Sequence, residues 1–172
     1  MRLKIPIALT IAGSDSISGA GIEADLKTFT SLGVYGVVAL TGVTAQNTTG
    51  VKRIYDLPPD IVVDQVMAIW EDTGIDAGKT GMLRTSGIVE AVANTVEKLG
   101  FPLIVDPVIY AKDGTPLLKQ DAIEVFKEKL IPLAKVVTPN RFEAEILTGI
   151  QIKNIEDARK AAKILVDDMG AE

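Results

Sequence analysis

The chain has 172 residues, of which 47% are hydrophobic and 24% charged, and its formal net charge is −5. That length allows one domain with a real core, and the composition is typical of a globular chain rather than a disordered or fibrous one. The apolar runs are strand-sized and fall short of the roughly 20 residues that span a bilayer, so we expect no membrane segment. The basic residues are scattered, which argues against a nucleic-acid partner.

Cysteine and histidine are both absent. Their absence excludes disulfides, cysteine-containing zinc sites, thiol nucleophiles and every catalytic triad that uses imidazole. Any chemistry therefore relies on carboxylates, amides, lysine, hydroxyl groups or the backbone. The N-terminus carries two cations and a short apolar run without a small-residue cleavage site, so we expect no signal peptide and a cytoplasmic protein.

Short β-branched runs alternate with longer helical patterns along the chain. The predicted strands are residues 5–12, 36–45, 51–57, 76–82, 102–108 and 134–140. The predicted helices are residues 21–32, 59–72, 86–99, 121–131, 141–147 and 155–169. Four of the helices are followed by a glycine suited to a left-handed cap: Gly33, Gly74, Gly100 and Gly170. Apolar strands connected by helices predict an α/β fold with a mostly parallel sheet covered on both faces.

Polar or glycine-rich segments follow five of the predicted strands. They read AGSDSISGAG, TAQNTTG, KTGML, VDPVIYAKDG and TPNRFEAE. The carboxyl ends of parallel strands lie at one rim of the sheet, where α/β proteins bind ligands. Contact with water explains any one polar loop, but five together favour a small-molecule site. The polar residues just past these strands are Asp15, Gln46, Asp106, Asn140 and Glu143.

Two short motifs approach nucleotide-binding fingerprints without matching them. GAGIEA matches G-x-G-x-x-A, but Gly19 lies seven residues beyond the predicted strand end, and Gln46 and Asn47 stand where an acid would hold a ribose. GKT lacks the first glycine of a phosphate-binding loop, because Thr73 occupies that position. We therefore expect neither a dinucleotide fold nor a P-loop.

A site in which carboxylates hold Mg²⁺ against nucleotide phosphates fits the strand ends better. Phosphoryl transfer needs mainly positioning and charge neutralisation. Asp106 and Glu143 are the candidate magnesium organisers, acting through water because Mg²⁺ gives up its hydration shell reluctantly. Each acid taken alone is equally well explained as an ordinary loop or helix-start residue, the latter favoured by the helix dipole.

The same segments carry a family resemblance. ALTIAGSDSISGAGIEADLKTFTSLGVYG is followed by TAQNTTGV, KTGML, VDPV and TPNRFEAEIL. The series closely resembles the hydroxymethylpyrimidine and phosphomethylpyrimidine kinases of thiamine biosynthesis, which belong to the ribokinase-like superfamily, and it runs through essentially the whole chain. The resemblance implies one ribokinase-like, three-layer α/β/α domain over residues 1–172. It also implies transfer of the γ-phosphate of ATP to 4-amino-5-hydroxymethyl-2-methylpyrimidine and then to its monophosphate.

The resemblance also implies which residues meet the pyrimidine. Gln46 would pair with the ring edge, since an amide donates and accepts at once. The loop side of the pocket would come from Gly13, Ala20 and Asp25. Met82 and Val108 would pack on the ring, although Met82 taken alone is better explained as core filler.

For the nucleotide, the resemblance implies that Asp106, Asn140 and Glu143 handle Mg²⁺ and ATP, with Asp106 and Glu143 at the metal. Two residues depart from the family pattern. Ser18 replaces one glycine of the pair that usually follows GSD-x-S, which we expect to stiffen the loop. Glu23 stands where glutamine is frequent and adds a charge near a helix start.

The family's chains continue into further strands, a glycine-rich anion hole with a catalytic Asp or Cys, and much of the adenine pocket. We therefore expect this chain to be the N-terminal two-thirds of such a kinase, incomplete on its C-terminal side, with no catalytic residue among residues 1–172. A sheet cut in this way leaves an unpaired edge strand, which predicts association into a homo-oligomer or low solubility.

Two other functions stay open from the sequence. A pyridoxine or pyridoxal kinase uses the same scaffold with a different substrate. A noncatalytic module that binds the pyrimidine is the other possibility, because no residue has the position and the neighbours of a general base.

Overall fold

The computed structural model describes residues 5–172, so the two N-terminal cations lie outside the described residues. A six-stranded sheet forms its centre, in the order β3-β2-β1-β4-β5-β6. The strands are β1 (Ile7–Asp15), β2 (Tyr35–Asn47), β3 (Gly50–Asp56), β4 (Ala77–Thr80), β5 (Leu103–Val105) and β6 (Ala134–Val137). β3 is antiparallel to β2 and the other neighbours are parallel. The predicted mostly parallel α/β sheet is confirmed.

Helices connect the strands close to the predicted positions. They are α1 (Gly21–Ser31), α2 (Pro59–Asp72), α3 (Ser86–Leu99), α4 (Ala122–Val125), α5 (Arg141–Thr148) and α6 (Ile155–Lys163). After α4 the chain continues as a π-helical segment, Phe126–Leu130, and a 3₁₀ turn, Ile131–Leu133, and α6 is likewise extended by the π-helical segment Ile164–Asp168. All four glycines predicted to follow helices have positive φ, between 71° and 80°.

The strand ends differ from the prediction in two ways. β1 runs to Asp15, three residues further than predicted, because it keeps pairing with β2 after a register shift between Ala12 and Gly13. β5 covers only Leu103–Val105, since Pro102 and Pro107, which lie close to its two ends, cannot donate to a sheet ladder. The polar segment behind β1 is therefore partly strand, and it lies directly at the rim.

Alternate side chains of β1 point to the two opposite faces of the sheet. Leu9 and Ile11 are fully buried in the core with residues of α2 and α3, such as Val62 and Ile88. Thr10 points the other way and hydrogen-bonds α1, which packs on β1 and β2. This alternation gives the parallel sheet a helical layer on each face.

β6 lies at one edge of the sheet, and Val136 on it is 46% exposed. The predicted association of copies through an unpaired strand stays a prediction. Within residues 5–172, no helix combines the length and the apolar character needed to cross a bilayer.

Candidate functional site

The structure brings the five polar strand ends together at one rim. Ser16, after β1, both donates to and accepts from the backbone of Gln46 in β2. The end of β4 lies against β1, because a Cβ built on Gly13 would meet the Met82 methyl carbon at 2.3 Å. Across β4 and β5, Lys79 Nζ is 3.9 Å from Asp106 Oδ2. The convergence predicted from the sequence is therefore confirmed, while the roles of the individual residues stay predictions.

The loop between β1 and α1 is organised by the carboxylate of Asp15. It accepts hydrogen bonds from the backbone N–H groups of Ile17, Gly19 and Ala20, each at 2.9 Å. Burial acts to raise the pKa of Asp15, but these N–H groups and the Gln46 side chain outweigh it and lower that pKa. Asp15 is only 4% exposed, so it builds the loop rather than facing a ligand.

The two departures from the family pattern both have structural consequences. Ser18 has φ of 60°, a left-handed conformation that favours glycine, so its Cβ strains the loop. Glu23 bonds the end of β1, because Ser14 Oγ and the backbone N–H of Asp15 both donate to its carboxylate. The extra charge is thus paired with β1, and it holds the start of α1 against the strand.

Residues predicted to face the ring surround the ends of β1, β2 and β4. Gln46 is half-buried, and its side chain contributes to the lowered pKa of Asp15. Met82 is 7% exposed, and its carbonyl accepts a 2.6 Å bond from the Thr41 hydroxyl. Val108, after β5, is half-buried. Met82 thus combines a core position with a place at the rim, and burial alone is enough to explain it.

A lysine that the sequence analysis left without a role lies inside this rim. Lys79 Nζ is 3.2 Å from both carboxylate oxygens of Asp25 in α1, and Asp25 also accepts a 2.6 Å bond from Thr10 Oγ1. In the sequence Lys79 belongs to the GKT triplet, which lacks the first glycine of a P-loop, and the structure places GKT in strand β4. The available signal was a single cation within a strand of small and apolar residues, which requires a partner when buried.

Asp106 is the rim carboxylate with the fewest partners. Its side chain is 38% exposed, and within residues 5–172 its only ion-pair neighbour is Lys79. Burial raises the pKa of Asp106, the charge of Lys79 opposes that shift, and the charge of Asp25 adds to it. The oxygens of Asp106 are therefore open to a ligand.

Asn140 and Glu143 form a capping box at the start of α5. Asn140 Oδ1 accepts from the Glu143 N–H at 3.1 Å, and Glu143 Oε2 accepts from the Asn140 N–H at 2.8 Å. Glu143 Oε1 accepts a longer bond, 3.4 Å, from Ile109. Burial raises the pKa of Glu143, and the charge of Asp106 adds to that shift while the backbone bonds oppose it. Capping alone explains why these residues occur here.

This rim fits Mg²⁺ only as a site in which groups other than protein side chains supply most of the ligands. Residues 5–172 contain no group of three or more acidic side chains close enough to hold a metal ion. Mg²⁺ commonly uses one or two carboxylates together with water and substrate phosphates. Asp106 suits that arrangement, whereas both oxygens of Glu143 already accept backbone hydrogen bonds.

One side of the rim is closed by a contact between two distant turns. Asp113 accepts hydrogen bonds from the N–H groups of Val51, at the start of β3, and of Thr115, both at 2.9 Å. Gly50 makes room for it, because a Cβ there would lie 2.4 Å from Asp113 Oδ2. The segment after β5 thus reaches the β2–β3 hairpin turn, close to the end of β2 that carries Gln46.

Comparison with known proteins shows which family this chain is similar to. The family model described as phosphomethylpyrimidine kinase matches residues 15–172. A hydroxymethylpyrimidine/phosphomethylpyrimidine kinase of Bacillus subtilis is 49% identical over 171 residues, which is 99% of this chain and 63% of the relative. The chain therefore spans somewhat less than two thirds of the length of this curated relative.

Solved structures match the whole of the described fold. The phosphomethylpyrimidine kinase of Clostridium difficile superposes with a TM-score of 0.90 at 44% identity, covering 98% of this chain and 72% of that one. The pyridoxal kinase of Staphylococcus aureus in complex with AMP-PCP and pyridoxal gives 0.85 at 39% identity, covering 98% and 60%. Both kinase types share this arrangement of strands and helices.

Proposed function

Because the chain belongs to the phosphomethylpyrimidine kinase family, we propose that its rim binds 4-amino-5-hydroxymethyl-2-methylpyrimidine for phosphorylation by ATP. The proposal extends to the monophosphate of this pyrimidine as a second acceptor. The observation that carries it is the position of the half-buried Gln46 at the joined ends of β1 and β2, where Ser16 bonds the Gln46 backbone. An amide side chain there can donate and accept at once, which matches the edge of an aminopyrimidine.

The acceptor pocket has a polar edge and apolar walls. Gly13 and Ala20 leave space on the loop side, because they carry at most a methyl group. Asp25 contributes a carboxylate paired with Lys79. Met82 and Val108 offer apolar surface for the ring faces. A flat ring with polar substituents at its edge suits this combination of few polar groups and apolar contacts.

In the proposed reaction, the hydroxymethyl oxygen attacks the γ-phosphorus of ATP, the bond from that phosphorus to the bridging oxygen breaks, and ADP leaves. Bound Mg²⁺ would supply neutralisation of the phosphate charge. Asp106 would hold the hydrated ion, while Asn140 and Glu143 fix the start of α5 beside it. The hydroxyl proton passes to solvent water in this proposal, because Asp15, Asp25 and Glu143 are already paired and Asp106 would face the hydrated ion.

Calorimetric titration of the aminopyrimidine alcohol into the purified chain tests the acceptor site. We expect saturable binding, and about tenfold weaker binding by Gln46→Ala, since one hydrogen bond to a buried polar edge is removed. Gln151→Ala changes an exposed glutamine between α5 and α6 and is the matched control. Equal affinity of the wild type and Q46A would contradict the role of Gln46.

Pyridoxine is the second candidate substrate, and the likeness to the Staphylococcus aureus pyridoxal kinase favours it. The same titration with pyridoxine separates the two substrates. Tighter binding of pyridoxine than of the aminopyrimidine would replace the proposed substrate. Incubation with Mg²⁺ and ATP, followed by mass spectrometry for the pyrimidine monophosphate, then separates a kinase from a module that only binds.

A further inference from the structure

Lys79 is the only charged residue in strands β4 and β5, which read AGKT and LIV. Its side chain is 21% exposed, so its ammonium group has lost much of its hydration. A cation in such a position requires compensating contacts, because burying an unpaired charge is costly. The position of those contacts decides what the lysine does.

Its partners come from two different parts of the rim. Asp25, in α1, lies 3.2 Å away through both oxygens, and Asp106, after β5, lies 3.9 Å away. Thr10 in β1 fixes Asp25 from a third direction. Gly81 leaves space for the ammonium, since a Cβ there would stand 3.3 Å from Nζ.

We propose that Lys79 is a positioning residue of the acceptor site, whose ammonium holds the carboxylate of Asp25 at the edge of the pyrimidine pocket. The proposal rests on the proposed function, because Asp25 matters only if the rim binds the acceptor. Lys79 acts through Asp25 rather than by touching the ring.

Electrostatics explains why Asp25 depends on this lysine. Asp25 and Asp106 carry like charges on the same side of the rim, and the ammonium lies between them. Without it the two carboxylates repel each other, and Asp25 keeps the Thr10 hydroxyl as a neutral partner. Its side chain then leaves the position that the pocket requires.

Two double-mutant cycles on the aminopyrimidine affinity test this role. Lys79→Met preserves most of the aliphatic stem and removes the charge. We expect K79M to weaken binding about tenfold, the effect of losing a charged hydrogen bond. Combining it with Asp25→Asn should weaken binding little further, because both changes break the same unit. Combining it with Gln46→Ala should add the two effects, because Gln46 contacts the ring independently.

Arginine at position 79 keeps the charge, and we expect K79R to bind within about threefold of the wild type. A general folding defect in K79M would lower its Tm and make its effect on affinity combine in the same way with D25N and with Q46A. A positioning role makes only the combination with D25N non-additive. If K79M does not fold, Lys79→Gln takes its place in both cycles.

The outcomes separate this role from the proposed function. Binding by the wild type with unchanged binding by K79M would overturn the role of Lys79 and leave the substrate intact. Additive effects of K79M and D25N would overturn it as well. Absence of any pyrimidine binding by the wild type would overturn the proposed substrate, and the role of Lys79 with it.

Discussion

The carboxyl ends of β1 and β5 each place an aspartate at the rim, and the two aspartates differ in almost every respect. Asp15 is 4% exposed and accepts three backbone hydrogen bonds within its own loop. The Asp106 side chain is 38% exposed and has only Lys79 as an ion-pair neighbour among residues 5–172. Hydrogen bonds lower the pKa of Asp15 despite its burial, whereas burial raises the pKa of Asp106.

The comparison separates acids whose oxygens hold the loop together from acids whose oxygens are free to bind a ligand. Asp15 stabilises the native loop, and its oxygens have little capacity left for a ligand. Asp106 is held in a place that disfavours its charge, and this is the typical property of a functional group. A position at the end of a strand is therefore insufficient to assign a function, and the hydrogen-bond partners decide it.

The largest effect should come from Asp15. Asp15→Ala leaves the N–H groups of Ile17, Gly19 and Ala20 without their acceptor, so we expect a loss of about 2–3 kcal/mol in the free energy of unfolding. Urea unfolding at pH 7 measures it, with the exposed Asp64→Ala in α2 as control. Because the native pKa of Asp15 is lowered, its contribution is complete above the ordinary value of 3.8 and is lost as the pH falls below it. An unchanged unfolding midpoint would show that the loop does not depend on this carboxylate.

Substitution of Glu143, the second residue predicted to organise Mg²⁺, tests whether this acid stabilises the fold, as Asp15 does, or is free to bind a ligand, as Asp106 is. Glu143→Ala removes one half of the capping box, and we expect a loss of about 1–2 kcal/mol in stability without any Mg²⁺ present. Thermal unfolding against Glu97→Ala, an exposed glutamate of α3, measures it. A Tm that depends on Glu143 only when Mg²⁺ is added would assign it to the metal instead.

The smallest effect, of opposite sign, should come from Asp106. Asp106→Asn removes a charge that burial and Asp25 disfavour, so we expect stability to rise at pH 7 by about 0.5 kcal/mol, a figure reduced for the solvent screening of a side chain that is 38% exposed. The native pKa of Asp106 is raised, so its charge begins to destabilise the fold as the pH rises above about 3.8. The difference between D106N and the wild type should therefore vanish in acid. A clear loss of stability in D106N would contradict the contrast with Asp15.

Much of the fold could be predicted from the sequence, because hydrophobic periodicity and glycine positions determine helices locally. The predicted bounds of residues 59–72 and 86–99 match α2 and α3. The strand ends were less predictable. Gly13 to Asp15 look like a loop because their side chains are small or polar, but their backbone continues to pair with β2. Pairing of this kind depends on the neighbouring strand and leaves no pattern in the segment itself.

The sequence predicts which strand ends form the candidate site. It does not predict which side chains there pair with one another. That Asp15, Gln46 and Asp106 share one rim follows from parallel topology. That Lys79 lies between Asp25 and Asp106 depends on how α1 packs on β1 and β2, a relation between residues far apart in the chain. Likewise, the commitment of Glu143 to a capping box with Asn140 becomes visible only from the hydrogen bonds.

A crystal structure of the chain with the aminopyrimidine alcohol tests the acceptor site most directly. The ring should lie at the ends of β1, β2 and β4, with its polar edge within hydrogen-bonding distance of the Gln46 amide and its faces on Met82 and Val108. Asp25 should keep its contact with Lys79. A ligand bound instead in the apolar groove between β6, α5 and α6, lined by Val136 and Leu165, with the rim empty, would contradict the proposed site.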